Sequence, residues 1–265
     1  MSWAPTSFER FEYKYWLTPV QEEALLGALP AYMKRDEMAV GGQHNTSLYL
    51  DSEDLEFMTL HVDKTPDRPK LRVRAYGTPP SGPAFFEVKR KVKRTTFKDR
   101  ATVPMNVVPC LLRGEISSDL RLSAQERRTL EHFLYLMFVY KATPKLLITC
   151  KREAFTSIHS EEGTRLTFDR NIYYQPMEEP SLFGDPKAWI HLCGQMHYQS
   201  ESPTLVEIKF RNLAPVWVSE LVQRLQLRLA ASSKYVMAMR LESTGGDTPE
   251  CTDYVPAPFP AKGGF

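Results

Sequence analysis

Several features that would indicate a familiar class of protein are scarce or absent in this 265-residue sequence. Its four cysteines, Cys110, Cys150, Cys193 and Cys251, form no C-x-x-C pair, and no secretory signal follows Met1. We therefore expect reduced thiols and a cytoplasmic location. No apolar run approaches the roughly 20 residues that a membrane-spanning helix needs, so a link to a membrane would require a partner protein.

An excess of charge of one sign is also missing. The 34 Lys and Arg residues are balanced by 32 Asp and Glu residues, and the net charge of +2 argues against a chain coated with nucleic acid or anionic lipid. A hydrophobic content of 42% indicates a globular protein rather than a disordered one. Neither G-x-x-x-x-G-K-[ST] nor G-x-G-x-x-G occurs, so the usual phosphate-binding loops are excluded.

What the sequence does contain is one repeated design of β-strand. In residues 8–17, charged side chains alternate with apolar ones, which places Arg10, Glu12 and Lys14 on one face. Four further segments alternate in the same way. Their polar positions are Lys70, Arg72 and Arg74; Glu87, Lys89 and Lys91; Arg165, Thr167 and Asp169; and Glu207, Lys209 and Arg211.

Four helices and two further strands are predicted around these segments. Capping boxes, in which Ser or Thr is followed three residues later by Glu or Gln, open the first two helices, and helical spacing of apolar residues indicates the others. The helices are expected over 18–33, from Ser123, from Pro215 and over 232–242, and the strands over 46–51 and 146–155. In the last strand Arg152 shares a face with Ile148 and Cys150.

A single domain is expected over 1–242, because no internal stretch has the composition of a linker. Residues 243–265 hold four Gly and four Pro without periodicity, so we expect a tail without a fold of its own.

The charged strand faces have two interpretations. One face of an antiparallel sheet normally meets water, so alternation alone describes solvated strands in a structural sandwich. These positions, however, hold mainly Lys and Arg. With helices available to cover the apolar faces, the charged faces could line the inside of a closed barrel. Like charges about 6 to 8 Å apart repel by roughly 2 to 3 kcal/mol at an effective dielectric near 20, so a cationic lumen would need a bound polyanion.

Phosphate and a metal ion are the ligands that this chemistry favours. Arginines at alternate positions, such as Arg72 and Arg74, offer planar forks that match phosphate oxygens. Carboxylates on the same faces would coordinate a hard divalent cation together with phosphate. These carboxylates are Glu12, Glu87, Asp169 and Glu207.

Seven short motifs occur in a fixed order: EYK at 12–14, KLRVR at 70–74, FEVK at 86–89, KREAF at 151–155, RLTFD at 165–169, VEIK at 206–209 and SSKY at 232–235. The ordered set resembles the catalytic domain of the vacuolar transporter chaperone (VTC) polyphosphate polymerases, which are triphosphate tunnel metalloenzymes. The resemblance spans about residues 8–240. It implies an α+β fold with an eight-stranded antiparallel β-barrel, a charged lumen and helices outside. Arg10 replaces the first Glu of the wider superfamily's E-x-E-x-K, which points away from its adenylate cyclase and thiamine triphosphatase branches.

The resemblance also implies a function. The ATP γ-phosphate would be transferred to a growing inorganic polyphosphate chain, with Mn²⁺ or Mg²⁺ as cofactor. The implied catalytic, phosphate-contacting residues are Lys14, Arg72, Arg74, Lys89, Arg152, Arg165, Lys209 and Lys234, to which the charged faces add Lys70 and Lys91 as phosphate contacts. Glu207 is the implied metal ligand, and Glu12 on the neighbouring charged face is a second candidate. Arg152 and Lys234 depend on the resemblance alone.

Two other functions fit the same residues. The lumen could hold polyphosphate or another polyanion without turnover, or water could replace the phosphate acceptor in a metal-dependent tripolyphosphatase or nucleoside triphosphatase. His191, Cys193 and His197 match no zinc motif, and ordinary packing is expected for them. Aromatic residues such as Tyr13 and Phe168 fall on apolar strand faces, so no nucleic-acid partner is expected.

Overall fold

The computed structural model describes residues 10–37, 42–92, 95–115, 120–159, 163–193, 203–211, 213–230 and 233–244. Most of the predicted tail, together with Ser232 and His197, lies outside the described residues. No helix in the described ranges is both long and apolar enough to span a lipid bilayer.

Among the described residues, eleven strands form one antiparallel sheet. They are β1 (Arg10–Leu17), β2 (Met33–Arg35), β3 (Gln43–Asp51), β4 (Asp67–Tyr76), β5 (Ser81–Val92), β6 (Thr95–Val103), β7 (Thr143–Ser157), β8 (Arg165–Pro176), β9 (Ile190–His191), β10 (Thr204–Arg211) and β11 (Arg228–Leu229). Pairing follows the order β11-β1-β10-β8-β7-β3-β4-β5-β6, with β2 beside β7 and β9 beside β8.

The hydrogen-bonded sheet does not close on itself. Within the described part of the chain, β11 and β6 are its two ends, because β11 occupies the edge of β1 at Tyr15 and Trp16. The α+β class and the large antiparallel sheet are confirmed, whereas a closed eight-stranded barrel is not. The ends still approach each other through side chains, since Lys89 Nζ on β5 lies 3.5 Å from Glu12 Oε2 on β1. The sheet is therefore strongly curled, with its charged face on the concave side.

Six helices accompany the sheet in the described ranges: α1 (Pro19–Ala28), α2 (Glu56–Val62), α3 (Val108–Leu112), α4 (Ala124–Val139), α5 (Val216–Arg224) and α6 (Lys234–Ser243). Both predicted capping boxes are present, at the starts of α1 and α4. The prediction that the first helix continues to residue 33 is wrong, because Pro30 cannot extend an α-helix and the chain passes through a 3₁₀ turn, Leu29–Ala31, into β2.

Most helices cover the apolar, convex side of the sheet. Phe133 of α4 packs edge-on against Phe86 of β5 at 4.8 Å between ring centroids, and α2 and α3 complete that half of the core. Both rings are fully buried, which contributes about 1.5 to 3 kcal/mol for each side chain. Helices α1 and α5 cover the other half around Phe168 and Trp217.

Helix α6 lies instead against the concave side. Its Tyr235 stacks on Tyr49 of β3 at 5.1 Å between ring centroids and packs with Ile148 and Cys150 of β7. The Tyr235 hydroxyl donates a 2.6 Å hydrogen bond to the carboxylate of Asp51. One part of the concave face is consequently apolar and filled by α6, and the remainder is ionic.

Candidate functional site

Charged residues from β1 and β10 meet at the centre of the concave face. Lys14 is hydrogen-bonded to Glu12, and its Nζ lies 4.0 Å from Glu207 Oε1. Lys209 Nζ lies 3.2 Å from Glu207 Oε2 and 3.6 Å from Glu12 Oε2. Two carboxylates on neighbouring strands therefore share two ammonium groups, as the alternation of both strands predicts.

Both of these carboxylates are ionised at neutral pH. Burial raises the pKa of Glu12, as does the charge of Glu207, but Lys209, Lys14 and Lys89 together lower it to about 2. The pKa of Glu207 is held well below its ordinary value, because the surrounding cations, Lys209 first among them, outweigh the opposing effect of burial.

Glu12 and Glu207 fit the donor set that a divalent cation in a phosphate site requires. Mg²⁺ in such sites is usually bound by one or two carboxylates and completed by substrate phosphates and water. No group of three or more His, Cys, Asp or Glu side chains that could hold a metal by itself occurs in the described part of the chain. Phosphate oxygens would accordingly have to supply the remaining ligands.

Asp169 on β8 anchors the next group of cations. It is fully buried and accepts two hydrogen bonds from Arg152, at 2.5 Å and 2.6 Å, and a third from Lys234. Lys234 is the first residue of α6, so the N-terminus of that helix delivers it to the ionic part of the face. Burial raises the pKa of Asp169, but Arg152 and Lys234 lower it to about 2.

Glu87 on β5 holds a third group, which involves β6. The Glu87 carboxylate is 1% exposed and lies 2.5 Å from Arg72 Nε, 2.7 Å from Lys98 Nζ and 2.5 Å from Arg100 Nη2. Burial lowers the pKa of Lys98 to about 8, and Glu87 opposes that shift. Lys98 and Arg100 are not among the site residues predicted from the sequence. Their alternation with Phe97 and Ala101 is the pattern that could have indicated a further charged strand face.

Two cations on β4 differ from the others because they lack a carboxylate partner among the described residues. Arg74 Nε donates to Ser47 Oγ at 3.0 Å, and Lys70 Nζ donates to Ser233 Oγ at 2.9 Å. Burial lowers the pKa of both groups, and neighbouring cations lower it further. These two positive charges would be stabilised by a bound anion.

The predicted residues Arg165 and Lys91 lie at the margin of this arrangement. Arg165 is 52% exposed at its side chain, and its guanidinium lies 2.9 Å from Asp36, next to β2. Lys91 follows Lys89 along β5, where burial and the charge of Arg68 lower its pKa. The other predicted phosphate contacts belong to the connected set described above, and their roles remain predictions.

The set carries a large local excess of positive charge. The set consists of ten cations and four carboxylates, which leaves a formal excess of six positive charges. The cations are Lys14, Lys70, Arg72, Arg74, Lys89, Lys98, Arg100, Arg152, Lys209 and Lys234, and the carboxylates are Glu12, Glu87, Asp169 and Glu207. A basic site is thus concentrated in a chain whose net charge is only +2.

A family profile and two solved structures are similar to this chain. A protein from Hippeastrum, described as a candidate adenylyl cyclase with a dominant triphosphatase activity, is similar over 92% of this chain and 99% of its own, at 13% identity and a TM-score of 0.48. A candidate adenylate cyclase from Vibrio parahaemolyticus is similar over 86% of this chain and 97% of its own, at 12% identity and a TM-score of 0.43. The comparison with curated sequences gives no match. The profile of the VTC domain matches residues 9–242, nearly the whole of the described chain, and this protein therefore belongs to the VTC domain family.

Proposed function

We propose that this protein is a polyphosphate polymerase, which transfers the γ-phosphoryl group of ATP to the end of an inorganic polyphosphate chain. The observation that supports this most directly is the excess of six positive charges in the set of ten cations and four carboxylates. A metal-bound nucleoside triphosphate carries a charge of only about −2, which leaves cations for a second condensed phosphate. Simultaneous binding of a donor and a growing chain requires such a surplus.

The residues of the face would act by positioning and by neutralising charge. Phosphoryl transfer depends on these two effects more than on covalent chemistry from the protein. Arg72 and Arg74 offer guanidinium groups at alternate positions of β4, and Lys14 and Lys209 offer ammonium groups on the paired strands β1 and β10. The terminal phosphate of a chain, with a second pKa near 6, is mostly deprotonated at neutral pH, so that the acceptor needs no general base.

A divalent cation, Mn²⁺ or Mg²⁺, would bind at Glu12 and Glu207. It would neutralise the negative charge of the phosphates during transfer. Lys14 and Lys209, which both lie within 4.0 Å of Glu207, would contact phosphate oxygens beside it.

The experiment that tests this proposal is incubation of the purified protein with ATP and Mn²⁺, followed by gel analysis of the products. We expect ADP and a long, acid-labile phosphate polymer. The Asp67→Asn variant serves as a control that should keep its activity, because Asp67 belongs to an exposed ion pair at the start of β4. Free phosphate without polymer would establish the second candidate, here a nucleoside triphosphatase, since the same charges would serve when water is the acceptor. Tripolyphosphate binding without turnover would indicate a binding module. Either result would contradict the polymerase.

A further inference from the structure

Asn45 on β3 is a buried amide that lacks a hydrogen-bond partner. Its side chain is 3% exposed, and neither Nδ2 nor Oδ1 is hydrogen-bonded within the described part of the chain. Buried polar groups are nearly always paired, because an unpaired one destabilises the folded state. Such an exception is expected where a ligand supplies the missing partner.

The position of Asn45 places it on the concave face. Side chains alternate along β3, and Ser47 and Tyr49 on the same face bond Arg74 and Arg72. Asn45 precedes Ser47 by one full alternation, so it faces the same side of the sheet. It therefore belongs to the wall that carries the cationic set.

Two arginines flank this amide on the neighbouring strands. Arg74 of β4 is paired with Ser47 and is thus diagonal to Asn45. Arg152 of β7 is paired with Gln43 and is diagonal to it on the other side. Diagonal neighbours in a sheet are within reach of long side chains. Asn45 therefore lies between Arg74 and Arg152, two arginines whose guanidinium groups suit phosphate oxygens.

Arg74 is the flanking arginine that is free to change position. Arg152 is fixed to Asp169 by two hydrogen bonds, whereas Arg74 has a hydrogen bond to the Ser47 hydroxyl and no carboxylate partner among the described residues. Its guanidinium has further N–H groups that suit phosphate oxygens. Movement of Arg74 toward a bound phosphate would uncover the carboxamide of Asn45.

We propose that Asn45 is a further substrate-binding residue, whose Nδ2 donates a hydrogen bond to an oxygen of the phosphate chain that Arg74 binds. Its Oδ1 accepts a hydrogen bond from the guanidinium of Arg74 in the same complex. The proposal rests on the proposed function, since it assigns Asn45 to that site. The ligand chemistry is a condensed phosphate, which either ATP or an inorganic polyphosphate can supply.

The test combines calorimetric titration with thermal unfolding of the ligand-free protein. Wild type, Asn45→Ala and Asn45→Asp are each titrated with tripolyphosphate and, separately, with ATP. We expect Asn45→Ala to bind at least one of these about tenfold more weakly, and Asn45→Asp to bind still more weakly because a carboxylate repels phosphate. The ligand identified in this way shows whether Asn45 contacts the donor or the growing chain. Asn106→Asp, at an exposed turn residue, controls for the added charge and should bind like wild type.

The ligand-free proteins supply an independent criterion. Because Asn45 has no partner to lose, Asn45→Ala should melt no lower than wild type, and Asn45→Asp should melt higher since its carboxylate can pair with Arg74. Unchanged affinity for both ligands would overturn the assignment and leave the proposed function standing. If Asn45→Ala does not fold, Asn45→Asp decides by the same criteria. Failure of wild type to bind either ligand would overturn both proposals.

Discussion

Substitution of Asp169 with Asn will remove the carboxylate to which two buried cations are hydrogen-bonded. The Asp169 carboxylate is 0% exposed and bonds Arg152 through both oxygens as well as Lys234. The amide would leave a guanidinium and an ammonium group buried, with Glu207, 4.0 Å from Arg152 and 3.9 Å from Lys234, as their remaining counter-charge. Removal of one partner from a buried ion pair costs about 3 to 5 kcal/mol, and we expect a decrease of this size in the free energy of unfolding.

The Asp67 and Arg90 pair provides a matched control for urea unfolding. It has the same bidentate geometry, but both side chains are 46% exposed, and such pairs contribute only about 0.2 to 1 kcal/mol. Asp67→Asn should therefore be nearly as stable as wild type. At equal concentration, tripolyphosphate should stabilise Asp169→Asn more than wild type, because it replaces the missing negative charge. A ligand at 100 times its dissociation constant adds about 2.7 kcal/mol. Equal losses of stability in the two variants would refute the reasoning, since they would show that Asp169 is no more buried than Asp67.

Three further predictions concern the same face. Arg74→Met should keep or raise the free energy of unfolding, because no carboxylate loses an ion-pair partner. Its affinity for tripolyphosphate, measured by calorimetry, should fall about tenfold or more. A lower free energy of unfolding with unchanged affinity would contradict this prediction. The pKa of Glu12 and that of Asp169 are lowered to about 2 from ordinary values of 4.5 and 3.8, so their stabilisation is complete above about pH 5 and is lost as the pH falls to about 2. Melting temperatures followed by circular dichroism should thus drop across this window, and less steeply in Asp169→Asn; parallel curves would exclude Asp169 as a cause. Glu207→Gln should lower Mn²⁺-dependent activity about 100-fold or more but leave tripolyphosphate binding in EDTA intact, and full activity would exclude Glu207 as a metal ligand.

The faces of the strands could be predicted from the sequence because their periodicity is a local property. Glu12 and Lys14 lie on one face of β1, and Glu207 and Lys209 on one face of β10, as their two-residue spacing requires. The capping boxes of α1 and α4 are equally local. Strand β6 was missed because Asp99 occupies one of its apolar positions and obscures the alternation.

Long-range features of the site could not be predicted in this way. The contact between Lys89 and Glu12 depends on how far the whole sheet curls, which no single strand encodes. Arg165 has the same alternation as Lys209 yet binds Asp36, which follows β2. The sequence shows which charged residues are present, but the tertiary packing determines which cations are paired with a carboxylate.

The start of helix α2 could not be predicted from its local sequence either. It begins after Leu55, whose backbone is left-handed with φ of 55°, and no side chain of its own N-cap closes it. Its first N–H group, that of Glu56, donates to Ser52 Oγ at 2.9 Å, and the next two, those of Phe57 and Met58, donate to the Asp51 carboxylate at 2.8 Å and 3.0 Å. Asp51 lies at the end of a strand several residues earlier, so the usual helix-start signal is absent.

The antiparallel pairing of β1 with β10 has a consequence for synthesis on the ribosome. Tyr235 reaches back to Asp51 across 184 residues, and β1 gains its main partner only when nearly all of the described chain has emerged. Contacts between such distant residues form late and slowly. In a nascent chain Lys14 is consequently exposed before Glu207 of β10 is available, and a condensed phosphate present at that moment would favour the final step of assembly.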